Sequence, residues 1–422
     1  MIKKIGIAFI CFIIVHLAHG QSIKAISFKG LKRTQEKYLY FLLDYKDGQS
    51  VSNDSIQYLK TRLANSQLFA SIETSIITNE NDTQTLIFNL KERNNILPYI
   101  FFGVGSDTGL LKVGAIDYNW LGKGNQLYAN YTYYDRHSFS IGQTIYSIKQ
   151  SKVGVASSFN KLSTVEPLFF PEGTSIYNYD VITLENQLII NLNHRKDLFF
   201  IGGGLLSEVY ERQSVEDIGP QSSDLIKLLL KANYVHQKVN YHFELLDGVI
   251  HNIGLEHVIT GDNTPTFTKL YSEHKLYKRI RKKGNFAGRL QLGLSSNNVG
   301  AFAPFLLDSF INVRGVGNRT TRATGQVVFN FEYRHTLFQF TNCDRPFCNS
   351  LQAVAFTDHS YWRTSGASFD DFLRKENIQT YAGLGLRWIF HKFNGVVLRI
   401  DYGVNVEDPR FKGFVFGLGQ FF

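Results

Sequence analysis

The chain has 422 residues, 14% of them aromatic, and 45 Lys and Arg against 36 Asp and Glu, for a formal charge of +9. Beyond the first twenty residues no stretch is long and apolar enough to cross a bilayer as a helix, so the helical membrane proteins are excluded. An exported soluble protein and a membrane β-barrel remain, and the basic balance does not imply a nucleic-acid partner, because the Lys and Arg are dispersed and the chain carries an export signal.

That signal occupies residues 1–20. Lys3 and Lys4 form a basic start, residues 5–15 are apolar but too short for a span, and Ala18-His19-Gly20 supplies the small residues of a cleavage site before Gln21. Cys11 leaves with it.

Residues 22–93 read as one small α+β domain in the order β-α-α-β-β. A strand is expected over 23–28 and a helix over 34–43, with Tyr38, Leu39, Leu42 and Leu43 at helical spacing and Thr34 as its N-cap. Ser52 is expected to cap a second helix carrying Ile56, Leu59, Leu63 and Leu68. Strands over 72–78 and 85–90 close the domain.

From residue 97 to 422 the helical period disappears and apolar residues alternate with polar ones. Leu127, Ala129, Tyr131 and Tyr133 share a face, as do Ala382, Leu384, Leu386, Trp388 and Phe390, and Val396, Leu398, Ile400 and Tyr402 stand opposite Arg399 and Asp401. A continuous apolar row backed by charged residues is expected where one face meets lipid and the other a wet lumen. The reading is an all-β transmembrane antiparallel barrel of about sixteen strands, running from a first strand over 99–105 to a last over 414–422. The basic run Lys278-Arg279-Ile280-Arg281-Lys282-Lys283 reads as a solvated turn at the membrane edge.

Two motifs stand inside the barrel region. Val313-Arg314-Gly315-Val316 lies in a loop ahead of the strand Gln326–Arg334. If that loop folds into the lumen its guanidinium needs an acidic partner, and Glu332 and Asp358 sit on inward faces. Cys343 and Cys348 share a turn-like segment, and in an exported chain that spacing points to a local disulfide, with no metal or redox role.

Enzyme signatures are absent. The triplet Gly202-Gly203-Gly204 opens no helix, so it is no phosphate cradle, and there is no Gly-x-Ser-x-Gly elbow or His-Glu-x-x-His. His194, His242, His251 and His257 read as polar strand histidines. No cofactor, metal or ATP is expected.

The layout resembles the BamA/TamA-type family of outer-membrane assembly barrels, in which POTRA domains precede a sixteen-stranded barrel. The matching pieces are Phe28-Lys29-Gly30, Asp47-Gly48, residues 63–69 and Leu90-Lys91-Glu92 in the first domain. In the barrel they are Val313-Arg314-Gly315-Val316, which has Val316 where an aromatic is usual, and the acidic positions Glu332 and Asp358. Residues 414–422 are similar to the family's insertion signal, with Phe422 its terminal aromatic and Gln420 at a position often aromatic. The resemblance implies an outer-membrane protein of a Gram-negative-type bacterium with its first domain in the periplasm. Its clients would be unfolded outer-membrane proteins or a secreted partner, with outer-membrane lipid and periplasmic accessory proteins as further contacts. It also implies a seam between first and last strands, weakened by Gly103, Gly105, Gly417 and Gly419 and ending at Phe422, that opens to template a client strand. A translocation pore, a diffusion porin and an outer-membrane hydrolase are the alternatives.

Overall fold

The computed structural model describes residues 23–422 except 47, 81–82, 105–108, 171, 217, 243, 262–265, 299–302, 318–319, 341–348 and 392–395. The chain divides into two compact units, 1–93 and 94–422.

In the first unit, β1 (Ile23–Lys29), α1 (Glu36–Leu43), α2 (Asn53–Asn65), β2 (Phe69–Thr78) and β3 (Gln84–Glu92) follow in that order. The sheet order is β1-β3-β2, parallel between β1 and β3 and antiparallel between β2 and β3. Leu39 and Leu43 of α1, Leu59 and Leu63 of α2, and Leu86, Phe88 and Leu90 of β3 fill one core. Burying such side chains contributes about 1.5–3 kcal/mol each. The Ser52 hydroxyl accepts the Ser55 N–H at the start of α2. Thr34 is not the cap of α1. That position is Gln35, whose side chain makes no capping bond, while the Thr34 N–H donates to Glu92 Oε1 at 2.8 Å. Leu68 lies beyond the end of α2 but is still buried in the core.

The second unit opens with β4 (Ile96–Val104), β5 (Gly109–Trp120), β6 (Asn125–Tyr134), β7 (Arg136–Ile145), β8 (Val153–Phe170) and β9 (Gly173–Leu192). Then come β10 (Asp197–Arg212), β11 (Ser222–His242), β12 (Leu245–Thr260), β13 (Phe267–Ile280) and β14 (Gly284–Ser295). A long loop follows with the short strands β15 (Phe305–Leu307) and β16 (Thr321–Ala323). The chain returns through β17 (Gly325–Phe340), β18 (Asn349–Arg363), β19 (Ile378–Phe390), β20 (Val396–Asn405) and β21 (Lys412–Leu418). Leaving out β15 and β16, these make one antiparallel sheet of sixteen strands, each bonded to its neighbours in chain order from β4 to β21.

Period-two alternation decides what each face meets. On β19, Leu384 is 70% exposed while Arg387, three residues on, is fully buried. On β17, Phe331 and Tyr333 point out, and Val328, Asn330, Glu332 and Arg334 are buried inside. Such a surface suits a lipid environment outside and a polar lumen inside. The strands alternate in direction, so β4, β14 and β20 all start at one rim, called proximal here. The loop between β14 and β17 hangs from the distal rim. The basic turn after Ile280 is exposed at the proximal rim.

Two expectations for the barrel change. The first strand spans Ile96–Val104, so Gly103 lies in it, and Gly105 falls outside the described residues. The last strand stops at Leu418, not Phe422. Gly419, at φ +82°, turns the chain off the wall, and Phe421 and Phe422 are buried with Val239, Tyr277 and Ala287 of β11, β13 and β14. Phe422 is therefore no part of the seam. Cys343 and Cys348 lie outside the described residues.

Candidate functional site: a locked loop and an unladdered seam

The loop hanging from the distal rim folds inward. Its tip is shaped by a compact turn in which Asp308 O accepts the Asn312 and Val313 N–H groups and Asn312 Oδ1 accepts the Asp308 N–H. Phe305, Leu307, Val313 and Ala323 pack on Val328, Trp362 and Tyr381 of the wall. That anchorage presents Arg314 to β17 and β18, where Asn330 stands opposite Asp358 and Glu332 opposite Phe356. Glu332 and Asp358 are thus diagonal neighbours on one face.

Arg314 meets both. Its main-chain N–H and Nε donate to Asp358 Oδ2 at 3.0 and 2.8 Å, and Nη2 donates to Asp358 Oδ1 at 2.8 Å. Nη1 donates to Glu332 Oε1 and lies 3.9 Å from Asp401 Oδ2. The guanidinium is stacked 3.6 Å from the Phe356 ring centroid and 4.2 Å from that of Phe421. Arginine suits this place because a planar fork satisfies two oxygens of one carboxylate while its face covers a ring. Gly315, at φ +90°, lets the loop lie backbone to backbone on β20: a Cβ there would come within 2.7 Å of the Gly403 carbonyl.

The sequence did not single out the rest of the network. Arg387 grips Asp401 through Nη1 (2.7 Å) and Nη2 (3.1 Å) and reaches Glu332 at 3.5 Å. Arg334 Nε donates to Glu332 Oε2 at 2.7 Å, and its Nη2 to the Phe422 main-chain oxygen at 3.0 Å. Asn330 bridges the Asn312 carbonyl and Asp358, both at 2.7 Å. Gln420 accepts from Arg387 Nε at 3.2 Å. A second tether joins the loop to β8, where Arg322 Nη2 meets Glu166 Oε2 at 2.7 Å. The visible signal was the inward parity of Asp401 and Arg387. Their partners lie on other strands, so a one-dimensional pattern does not pair them.

The seam is the second element of the site. β4 and β21 lie side by side, yet among the described residues no hydrogen-bond ladder joins them. Gly417 sits there, and a Cβ on it would come within 3.0 Å of the Phe101 ring. Gly419 stands just past the strand end. Of the strand histidines, His251 Nδ1 lies 3.0 Å from His274 Nδ1 and His257 Nδ1 2.9 Å from Thr268 Oγ1.

A sixteen-stranded barrel with an inward-locked loop, an unzipped seam and a separate α+β domain defines a POTRA-barrel protein. Residues 21–93 match the family described as POTRA, surface antigen variable number repeat. Among solved structures the chain is similar to CdiB from Escherichia coli, at 12% identity over 94% of this chain and 75% of that one, TM-score 0.63. CdiB from Acinetobacter baumannii gives 14% over 94% and 73%, TM-score 0.59. BamA from Haemophilus ducreyi lacking POTRA domains 1-3 gives 16% over 94% and 83%, TM-score 0.53. Its fold is that of the BamA/TamA-type family.

Proposed function

We propose that the protein is a non-enzymatic outer-membrane assembly factor that receives unfolded outer-membrane proteins on a periplasmic POTRA domain and inserts them through the β4/β21 seam. The observation that carries this reading is the seam. Fifteen strand pairs are laddered and, among the described residues, the closing one is not, so two edges are available to template a client strand. In the POTRA domain, β2 stands at the end of the sheet order β1-β3-β2 and among the described residues is laddered to β3 alone, an edge for an extended segment. The plugged lumen argues against a steady diffusion pore.

A pore exporting one secreted partner is the second reading. It is favoured by a polar lumen stoppered by a loop held at two ionic points, Arg314 and Arg322. Proteoliposomes carrying an Ile100→Cys/Leu418→Cys pair separate the two. Under oxidation, folding of a urea-unfolded client barrel, followed by protease protection, should stop and should resume on reduction. Full insertion by the oxidised form would refute the assembly reading. Retained export with lost insertion would favour neither alone but assign each activity to its own path.

A further inference from the structure

The turns at the two rims of the barrel carry opposite charge. Among the described residues, the segments joining strands at the proximal rim hold eight Lys and Arg against one acid, Glu244. Those at the distal rim, the inward loop aside, hold eight Asp and Glu against Arg374, Lys375 and Arg410. Cations scattered along the sequence are thus gathered at one end of the fold. Seven of the eight proximal ones are exposed, and among the described residues none of the seven meets an acid. The eighth, Arg195, organises the others. Its Nη1 and Nη2 donate to the carbonyl oxygens of Gly124 and Lys123 at 2.8 and 3.2 Å, and its guanidinium lies 4.2 Å from the Tyr146 ring centroid. It therefore ties the turns at 121–124, 146–152 and 193–196 into one arc that displays Lys123, Lys149, Lys152 and Lys196. Arg281, Lys282 and Lys283 form a second basic group after β13. Large apolar side chains stand exposed beside these cations: Leu121 two residues before Lys123, Ile148 next to Lys149, and Ile280 next to Arg281.

We propose that the proximal rim docks on anionic phospholipid, its turn cations taking headgroup phosphates while Leu121, Ile148 and Ile280 enter the acyl layer beside them. An apolar outer wall that ends in a rim of lysine suits a lipid surface, because the stem lies along apolar groups while the ammonium reaches the phosphates. A soluble polyanion would gain nothing from the three apolar neighbours. Each cation near an anionic surface adds about fivefold in affinity. The acids of the distal rim repel the same headgroups, so the charge of the two rims gives the barrel a preferred leaflet for its proximal end. The inference needs only a membrane-spanning barrel and holds for either cargo.

The test reconstitutes the full chain in phosphatidylcholine bilayers with a trace of chain-spin-labelled phosphatidylglycerol or phosphatidylcholine. Electron spin resonance reads the motionally restricted fraction of each. Phosphatidylglycerol should be enriched at the barrel severalfold over phosphatidylcholine, and the enrichment should fall as salt is raised. The combined variant Lys149→Gln/Lys152→Gln/Lys196→Gln/Lys282→Gln/Lys283→Gln should abolish most of it. The distal control Arg374→Gln/Lys375→Gln/Arg410→Gln should leave it unchanged. Equal fractions of the two lipids in the wild type would overturn the proposal, as would full enrichment in the proximal variant or equal loss in the distal one. Millimolar glycerophosphoglycerol, the headgroup without its chains, should not compete at fixed ionic strength; full competition would reduce the rim to a site for soluble anions and equally overturn it. The lipid comparison, the salt response and the competition use the wild type and do not depend on any variant folding.

Discussion

Both sides of the lumen are charged, but they are built differently. On the β9 to β13 side lysine–glutamate pairs recur: Lys231 with Glu185 at 2.8 Å, Lys269 with Glu256 at 3.0 Å, Lys275 with Glu273 at 2.8 Å, all partly exposed, beside Arg136 with Asp180 and His236 with Asp197. On the β17 to β20 side the pairs are arginine with Glu332, Asp358 and Asp401, every side chain fully buried. The loop is the cause. Where it covers the wall, water is displaced and each oxygen needs a donor in the protein, which the five N–H groups of arginine supply. Where the wall stays wet, a compact, strongly hydrated ammonium suffices. One barrel thus holds two electrostatic environments, told apart by how deeply the pairs are buried.

The largest expected effect breaks the dry side. Arg314→Ala should lower the stability of the refolded barrel by about 3–5 kcal/mol, the cost of orphaning a buried pair, read as a shifted urea midpoint and a leakier channel in planar bilayers. Arg314→Lys should recover only part. Combined with Glu332→Gln, the losses should be less than additive because the two groups touch. A strictly additive cycle would remove the lock.

Gly403→Ala should come next, at about 1–3 kcal/mol, because the new methyl meets the Arg314 carbonyl and must lift the loop off β20. Limited proteolysis of the loop should speed up. On the wet side, Lys231→Met should cost about 1 kcal/mol or less. That small loss should shrink between 0.05 and 0.5 M salt while the Arg314 loss does not, since only exposed charges are screened. Equal salt responses would collapse the distinction.

The smallest effect concerns the POTRA domain. Burial would raise the Glu92 carboxyl, but hydrogen bonds from the Thr34 side chain and the Thr34, Lys32 and Arg33 main-chain N–H groups hold it below its usual value of 4.5. A depressed carboxylate stabilises above the unfolded value and loses that contribution as pH falls through the folded one. Glu92→Gln should therefore cost a few tenths of a kcal/mol at pH 7, discounted for a largely solvated group, and in thermal melts the difference should shrink as pH falls below the usual carboxylate value.

The sequence carried the faces better than the partners. Period two assigned Glu332 inward and set Leu398 and Ile400 opposite Arg399 and Asp401, because a pleated strand leaves no other choice. It could not pair Arg322 with Glu166, 156 residues apart, since lumen contacts depend on strand number and stagger. The helix start was misplaced by one residue, because Thr34 can cap or be held and Glu92 holds it. The end of β21 was misread for a related reason. Residues 414–422 look like one strand until Gln420 is seen turning in to Arg387 and Gln352.

The docking of the loop has a kinetic consequence. Arg314 precedes every surface that receives it: Glu332, Asp358 and Gly403 all lie later in the chain. The plug can settle only after β17 through β20 have formed, at the close of an already slow, high-contact-order process. Until then the arginine has no home and Asp358 lacks its ion-pair partner. Completion of the wall and seating of the plug are therefore one cooperative event, so a barrel stalled short of β20 advertises itself by a loop still open to protease.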